Sequence, residues 1–170
     1  MVIRPGTQSD LEAVATIKVA NWADTYRELI PPDVLASFLD RAHAVEDLRA
    51  AIEQPGAHFL VAEDSAGKLI GFSLAYLDEK PDPWLESLHV AARVRGQGVG
   101  TALMREVARA IRSRGLNSMR LGVVKGNRGA GRLYLRLGAS LIGVEPAAWA
   151  RGVDHELYRW ADLTRLLEPV

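Results

Sequence analysis

One stretch constrains the fold more than any other. Trp84-Leu85-Glu86-Ser87-Leu88-His89-Val90 reads as a strand, and Arg95-Gly96-Gln97-Gly98-Val99-Gly100-Thr101 as the turn that follows it. Val99, Leu103, Met104, Val107 and Ile111 then recur at the spacing of one helix face. Arg109, Arg112 and Arg114 suit the negative end of that helix dipole, and Gly115 suits its stop. A strand that enters a glycine-rich turn and leaves as a helix gathers unpaired N–H groups and the positive dipole end at one point. That is an anion site by electrostatics alone. Without a ligand the same string is a tight turn.

Around this unit the chain alternates between helical and extended patterns. Val2-Ile3-Arg4 reads as a short strand closed by Pro5-Gly6. Thr7 and Asp10 have capping-box spacing ahead of Leu11, Val14 and Ile17, which predicts a helix from about residue 8 into the early twenties. Pro31-Pro32-Asp33 opens a second helix carrying Val34, Leu35, Phe38 and Leu39. A third spans about 43–53, with Leu48 and Ile52 on one face and Pro55-Gly56 as its stop. Residues 58–62 and 69–76 pair as a hairpin across Asp64-Ser65-Ala66-Gly67. Beyond the central unit come a strand over 119–124, a short helix over 128–137 stopped by Gly138, and strands over 141–144 and 156–160. Mixed order of this kind predicts an α+β layer arrangement with a mixed sheet, in one domain over 1–170.

Composition removes several function classes. The 170 residues contain no cysteine, which excludes a disulfide scaffold, a cysteine nucleophile and a thiolate metal site. The four histidines are scattered without paired ligand spacing, so no metal is expected. No GxSxG elbow supports a serine-hydrolase triad. No apolar run has the length of a membrane span and the first residues lack a signal-peptide core, so a cytoplasmic protein without a membrane partner is expected. The 21 basic and 21 acidic residues sum to zero, but unevenly. Residues 1–89 hold 7 basic and 15 acidic, residues 90–136 hold 11 and 1, and residues 137–170 hold 3 and 5. The basic middle segment has Tyr134 as its single aromatic, so base stacking, and with it a nucleic-acid partner, has little support. The turn is also no dinucleotide fingerprint, since Thr101 stands where the third glycine belongs, and the chain has no GxxxxGK[ST] string.

The ordered set of motifs resembles the GNAT acyltransferase superfamily. Arg95-Gly96-Gln97-Gly98-Val99-Gly100 is similar to its acyl-CoA signature, [QR]-x-x-G-x-[GA]. Leu88-His89-Val90 resembles the family's L-x-V strand end, and Asn127-Arg128-Gly129-Ala130 its N-x-x-A. Tyr134 to Ala139 resembles Y-x-x-x-G-F, with Ala139 in place of Phe. The opening Ile3-Arg4 with Thr7 and Asp10, and the late Tyr158-Arg159-Trp160, are similar as well, so the likeness covers nearly the whole chain.

The resemblance implies a mostly antiparallel mixed sheet that splays after its fourth strand, with helices on both faces and CoA in the opening. It implies that backbone groups of Leu88 and Val90 hold the pantetheine arm and that the turn, through the N–H groups of Gln97, Gly98, Val99, Gly100 and Thr101, holds the pyrophosphate. Asn127 would hydrogen-bond the arm. Tyr134, a neutral phenol able to donate, would protonate or hydrogen-bond the leaving thiolate. The oxyanion donor is expected at Leu88 or His89. Glu86 alternates with Leu88 and Val90, which predicts that the three share one sheet face and makes Glu86 the first choice of base, with Asp82 second. His89 falls on the opposite face, where a structural role is expected. Trp22, Tyr26 and Trp84 wall the acceptor pocket or are ordinary core aromatics. The implied reaction is N-acetylation by acetyl-CoA of a primary amine on a small molecule or peptide, through direct attack and without a metal. The alternative is a CoA-binding module without turnover. Many members of that family dimerise, so a homodimer belongs to the expectations.

Overall fold

The computed structural model describes residues 1–168. Seven strands form one sheet: β1 (Val2–Pro5), β2 (Ala57–Glu63), β3 (Leu69–Tyr76), β4 (Trp84–Val90), β5 (Met119–Val124), β6 (Ser140–Pro146) and β7 (Asp154–Trp160). Their order is β1-β2-β3-β4-β5-β7-β6. All neighbours are antiparallel except β4 and β5, which run parallel and register only at Trp84 opposite Arg120. Beyond that single pair the sheet opens, as the resemblance implies. The helices are α1 (Leu11–Thr25), α2 (Pro32–Phe38), α3 (Arg41–Ile52), α4 (Val99–Ser113), α5 (Arg128–Arg136) and a short α6 (Thr164–Leu167).

Strand alternation divides the core in two. Leu60, Ala62, Ile70 and Ala75 point to one face, where α4 lays Val99, Leu103, Met104, Val107 and Ile111 against them. Each of those five is at most 4% exposed. A fully buried aliphatic side chain contributes about 1.5–3 kcal/mol, so this stripe fixes α4 and the turn before it to the sheet. Phe59, Val61, Phe72 and Leu74 point to the other face, against α1 and α3. A third cluster around Ile30, Leu35, Ala147 and Val153 ties α2 to the loop between β6 and β7.

The capping box at Thr7 is present: the Thr7 N–H donates to Asp10 Oδ2 at 2.8 Å. A 3-10 turn over Gln8–Asp10 precedes α1, so the regular helix starts later than the spacing predicts. Arg4 donates to both Asp10 oxygens at 2.8 Å and to Glu63, tying β1 to α1 and β2. The α6 turn carries no strong sequence pattern. Tertiary packing holds it: Leu163 and Leu166 are fully buried, and Arg105 Nε donates to the Leu166 carbonyl at 3.0 Å.

One irregularity decides the site. The register of β3 on β4 shifts between Leu74, opposite Ser87, and Ala75, opposite Leu85, so Glu86 bulges. A bulge adds a residue and inverts the alternation on either side of it. Leu85, Leu88 and Val90 pack with the α4 core. Glu86 instead lies with Trp84, whose Nε1 donates to Glu86 Oε2 at 2.7 Å, on the face that carries Tyr76 and α1. The expectation that Glu86 shares a face with Leu88 and Val90 is therefore corrected.

Candidate active site

A cavity of about 1090 Å³ occupies the opening between β4 and β5. Its floor is β4 from Trp84 to Val90 and β5 from Leu121 to Val124. The glycine-rich turn and α5 close one side. The C-terminal half of α1, α2 and the loop after β6 close the other.

On the turn side, the backbone supplies the chemistry. Gly98 caps α4 with φ +84°, a left-handed conformation that costs any other L-residue but is open to glycine. A Cβ on Gly96 or Gly98 would meet nothing within 4 Å, so the turn has open space on that side. The first helical bond runs from Ala102 N to the Gly98 carbonyl, 2.9 Å, which leaves the amides of Val99, Gly100 and Thr101 without helical acceptors. Such a cradle, at the positive end of a 15-residue helix, fits a pyrophosphate. Gln97 departs from expectation. Its N–H donates within the turn to the Val94 carbonyl at 3.3 Å, and it does not line the cavity.

Arg95 departs as well. Its guanidinium is committed to α1, donating to Asn21 Oδ1 and Asp24 Oδ2, each at 2.6 Å. Asn21, 8% exposed, also donates through Nδ2 to the Val90 carbonyl at 3.0 Å. One buried amide thus fastens the end of β4, the start of the turn and α1. Several other basic residues of the segment serve the fold. Arg105 holds α6, Arg109 pairs with Glu106, Arg114 with Asp78, and Arg120 lies 5.4 Å over the Trp84 ring. Of its eleven basic residues only Arg95 and Arg136 line the cavity.

At the mouth of the opening Asn127 caps α5, its Oδ1 accepting from Ala130 N at 3.2 Å, with its amide beside Tyr26. Tyr134 lines the cavity, its ring 5.5 Å from Tyr158 and 5.8 Å from Trp160. Burial, with Tyr26 and Tyr158 near, pushes its phenol well above the usual tyrosine range, so it keeps its proton at any physiological pH. Ala139, in place of the family's Phe, is buried in the α4 core and has a packing role.

The opposite wall is made of side chains. Trp22, Tyr26 and Trp84 all line the cavity. Trp22 stacks on Phe38 at 4.4 Å, and Trp149 meets both rings edge-on at 5.4 and 5.1 Å. Trp149 Nε1 also donates to His155 Nε2 at 3.1 Å. Burial lowers the His155 pKa and favours the neutral ring. Gly122 permits this approach across the sheet: a Cβ there would stand 3.0 Å from His155 Nδ1 and 3.2 Å from Trp84 Cη2. His89 takes the structural role expected of its side chain. It stacks on Phe72 at 5.1 Å, and burial, with Lys18 and Arg95 near, holds its pKa down at about 3. Asp82 is not a base. It is 4% exposed, receives both Nε and Nη2 of Arg159 at 2.8 and 3.0 Å together with the Ser118 hydroxyl, and lies away from the cavity. The hydrogen bonds from Arg159 hold its carboxyl below the usual range.

Lys18, Asn21, Phe38, Trp149 and His155 line the cavity without having been singled out from the sequence. Lys18, Asn21, Trp22 and Thr25 stand at i, i+3, i+4 and i+7 on one α1 face, a signal that existed but mixes polar and apolar residues. Phe38, Trp149 and His155 come from distant segments and carry no shared pattern. Among the described residues no cluster of His, Cys, Asp or Glu is placed to hold a metal, and no helix is long and apolar enough to cross a membrane.

A splayed sheet with an amide cradle beside a buried tyrosine is the arrangement that the resemblance to an acyltransferase implies. Residues 19–139 match the Acetyltransferase (GNAT) family. The chain is 34% identical over 132 residues to thialysine N-epsilon-acetyltransferase of Mus musculus, covering 68% of this chain and 77% of that protein. It is 32% identical over 114 residues to an L-methionine sulfoximine/L-methionine sulfone acetyltransferase of Pseudomonas paraeruginosa, covering 64% of this chain and 63% of the relative. In fold it matches the PaiA N-acetyltransferase of Thermoplasma acidophilum, solved with coenzyme A, at TM-score 0.77 and 20% identity over 93% of this chain and 96% of that one. The chain belongs to the GNAT acetyltransferase family.

Proposed function

We propose that the protein transfers an acetyl group from acetyl-CoA to a primary amine of a small molecule or peptide. The observation that carries this is one cleft holding the free amides of the α4 start, the protonated Tyr134 and the Glu86 carboxylate. Acetyl-CoA, when bound, supplies an acyl group activated as a thioester. The amides of Gly98 to Thr101 bind its pyrophosphate, backbone groups of Leu88 and Val90 orient its arm, and Asn127 hydrogen-bonds that arm. Glu86, on the α1 face, takes the proton that the attacking amine loses, directly or through water. Tyr134 holds a proton for the departing sulfur. A backbone N–H of β4 at Leu88 or His89 faces the oxygen that gains charge. The reading of Trp22, Tyr26 and Trp84 as acceptor wall rests on their place in the cavity. The names of the relatives, which act on thialysine and on methionine sulfoximine, support a small amine acceptor.

The test is a thiol-release assay with acetyl-CoA and a panel of amino acids, polyamines, aminoglycosides and peptides with free N-termini. Amine-dependent release is expected. Stabilisation by CoA with no release from any acceptor would leave a binding module without turnover.

A further inference from the structure

Lys18 is the one basic side chain on the acceptor wall of the cavity. It projects from α1 between Asp47 of α3 and Glu86 and His89 of β4. Among the described residues it has neither a hydrogen bond nor an ion pair within 4 Å. The two carboxylates near it are turned to other partners: Asp47 pairs with His43 Nε2 at 3.5 Å, and Glu86 accepts from Trp84 Nε1 at 2.7 Å. His89 is neutral and offers no charge. The lining of the same cavity includes the apolar Leu48, Ala51 and Leu74. An unpaired, partly buried cation is costly, and an anion brought in from outside would offset that cost. Burial already lowers the Lys18 pKa, in agreement with that cost.

One helical turn along, Trp22, Phe38 and Trp149 form an apolar wall. Glu86, the carboxylate proposed to face the incoming amine, also stands near Lys18. A cation beside a carboxylate, next to an aromatic wall, matches the three parts of one ligand class. We infer that Lys18 binds the carboxylate of the acceptor, and that the acceptor is an α-amino acid, or an analogue with a free carboxylate, carrying an apolar side chain. Its amino group then lies toward Glu86 and its side chain against Trp22, Phe38 and Trp149. This rests on the acetyltransferase reading and narrows it.

The experiment compares L-methionine and L-phenylalanine with their carboxamides, in the full chain at saturating acetyl-CoA. Carboxamide amines are more acidic, so the decisive quantity is the acid-to-amide ratio of kcat/KM in wild type divided by that in Lys18→Met. A quotient of at least about ten-fold is expected, and Lys18→Arg should retain most of the wild-type ratio. A quotient near one overturns the inference while leaving acetyl transfer intact. Binding of N-acetyl-L-phenylalanine against its carboxamide, by calorimetry on folded wild type and Lys18→Met, needs no turnover. Tighter binding of the acid by wild type alone supports the Lys18 site even if no amine is acetylated. Equal binding of acid and amide by wild type refutes it.

Discussion

The two walls of the cleft are built from different materials. The turn wall uses main-chain amides at the start of α4, with Gly98 supplying the left-handed corner. The acceptor wall uses side chains from α1, α2, β4, β7 and the loop after β6. A backbone site needs only the right local conformation, and so is written in a few consecutive residues. A side-chain site needs distant segments to arrive together, and each can vary alone. A chain of this kind can keep its acyl donor while changing what it acetylates.

The largest expected effect falls on the turn wall. Gly98→Val should weaken acetyl-CoA binding by on the order of 100-fold in titration calorimetry, about 2.7 kcal/mol. A β-branched residue resists φ +84° and its side chain stands in the open space beside the amides. Retained affinity in a folded variant would break the assignment of this turn. Tyr134→Phe should next lower kcat by roughly 10- to 100-fold with KM for acetyl-CoA nearly constant, since it removes a proton donor and not a binding group. Wild-type turnover across the pH range would refute the acid role.

Asn21→Ala tests the join between the walls. It removes a buried amide that holds Val90 and Arg95 together, interactions of about 1–3 kcal/mol. A several-fold rise in KM for acetyl-CoA is expected, larger than in Asp24→Ala, which breaks only the outer half of the Arg95 contact. Equal effects would mean that the Val90 contact is idle. The smallest effect lies outside both walls. Hydrogen bonds from Arg4 hold the Asp10 pKa down at about 2, from an ordinary 3.8. A depressed folded-state pKa gives stability that is present above about pH 4 and lost as pH falls toward 2. Asp10→Asn should flatten that acid limb in thermal melts without changing its neutral-pH slope.

The turn, the α4 stripe and the hairpin were legible because their signals are local: glycine spacing, a helical period and strand alternation. The same locality misled at Glu86. Counting by twos along β4 put it with Leu88, but the bulge opposite Leu74 and Ala75 moved it to the α1 face. Nothing in Trp84 to Val90 marks a bulge, because it arises from the match of two strands. Asp82 failed for a related reason. As a loop carboxylate it looked available, and only β7 brings Arg159 to bind it.

The charge asymmetry shows the same division. Sequence concentrates eleven basic residues in 90–136, beside the cofactor motifs, but most of them pair on the surface or hold α6, away from the cavity. By itself, then, the sequence determined the hairpin, the α4 stripe and the glycine-rich turn, because hydrophobic period and glycine placement act over a few residues, and its motifs carried the likeness to the family. The tertiary structure alone decided which face Glu86 occupies, where Arg95 is held and which aromatics wall the cavity beside α1. Those depend on strand register and on contacts between segments far apart in the chain, where no short-range pattern operates.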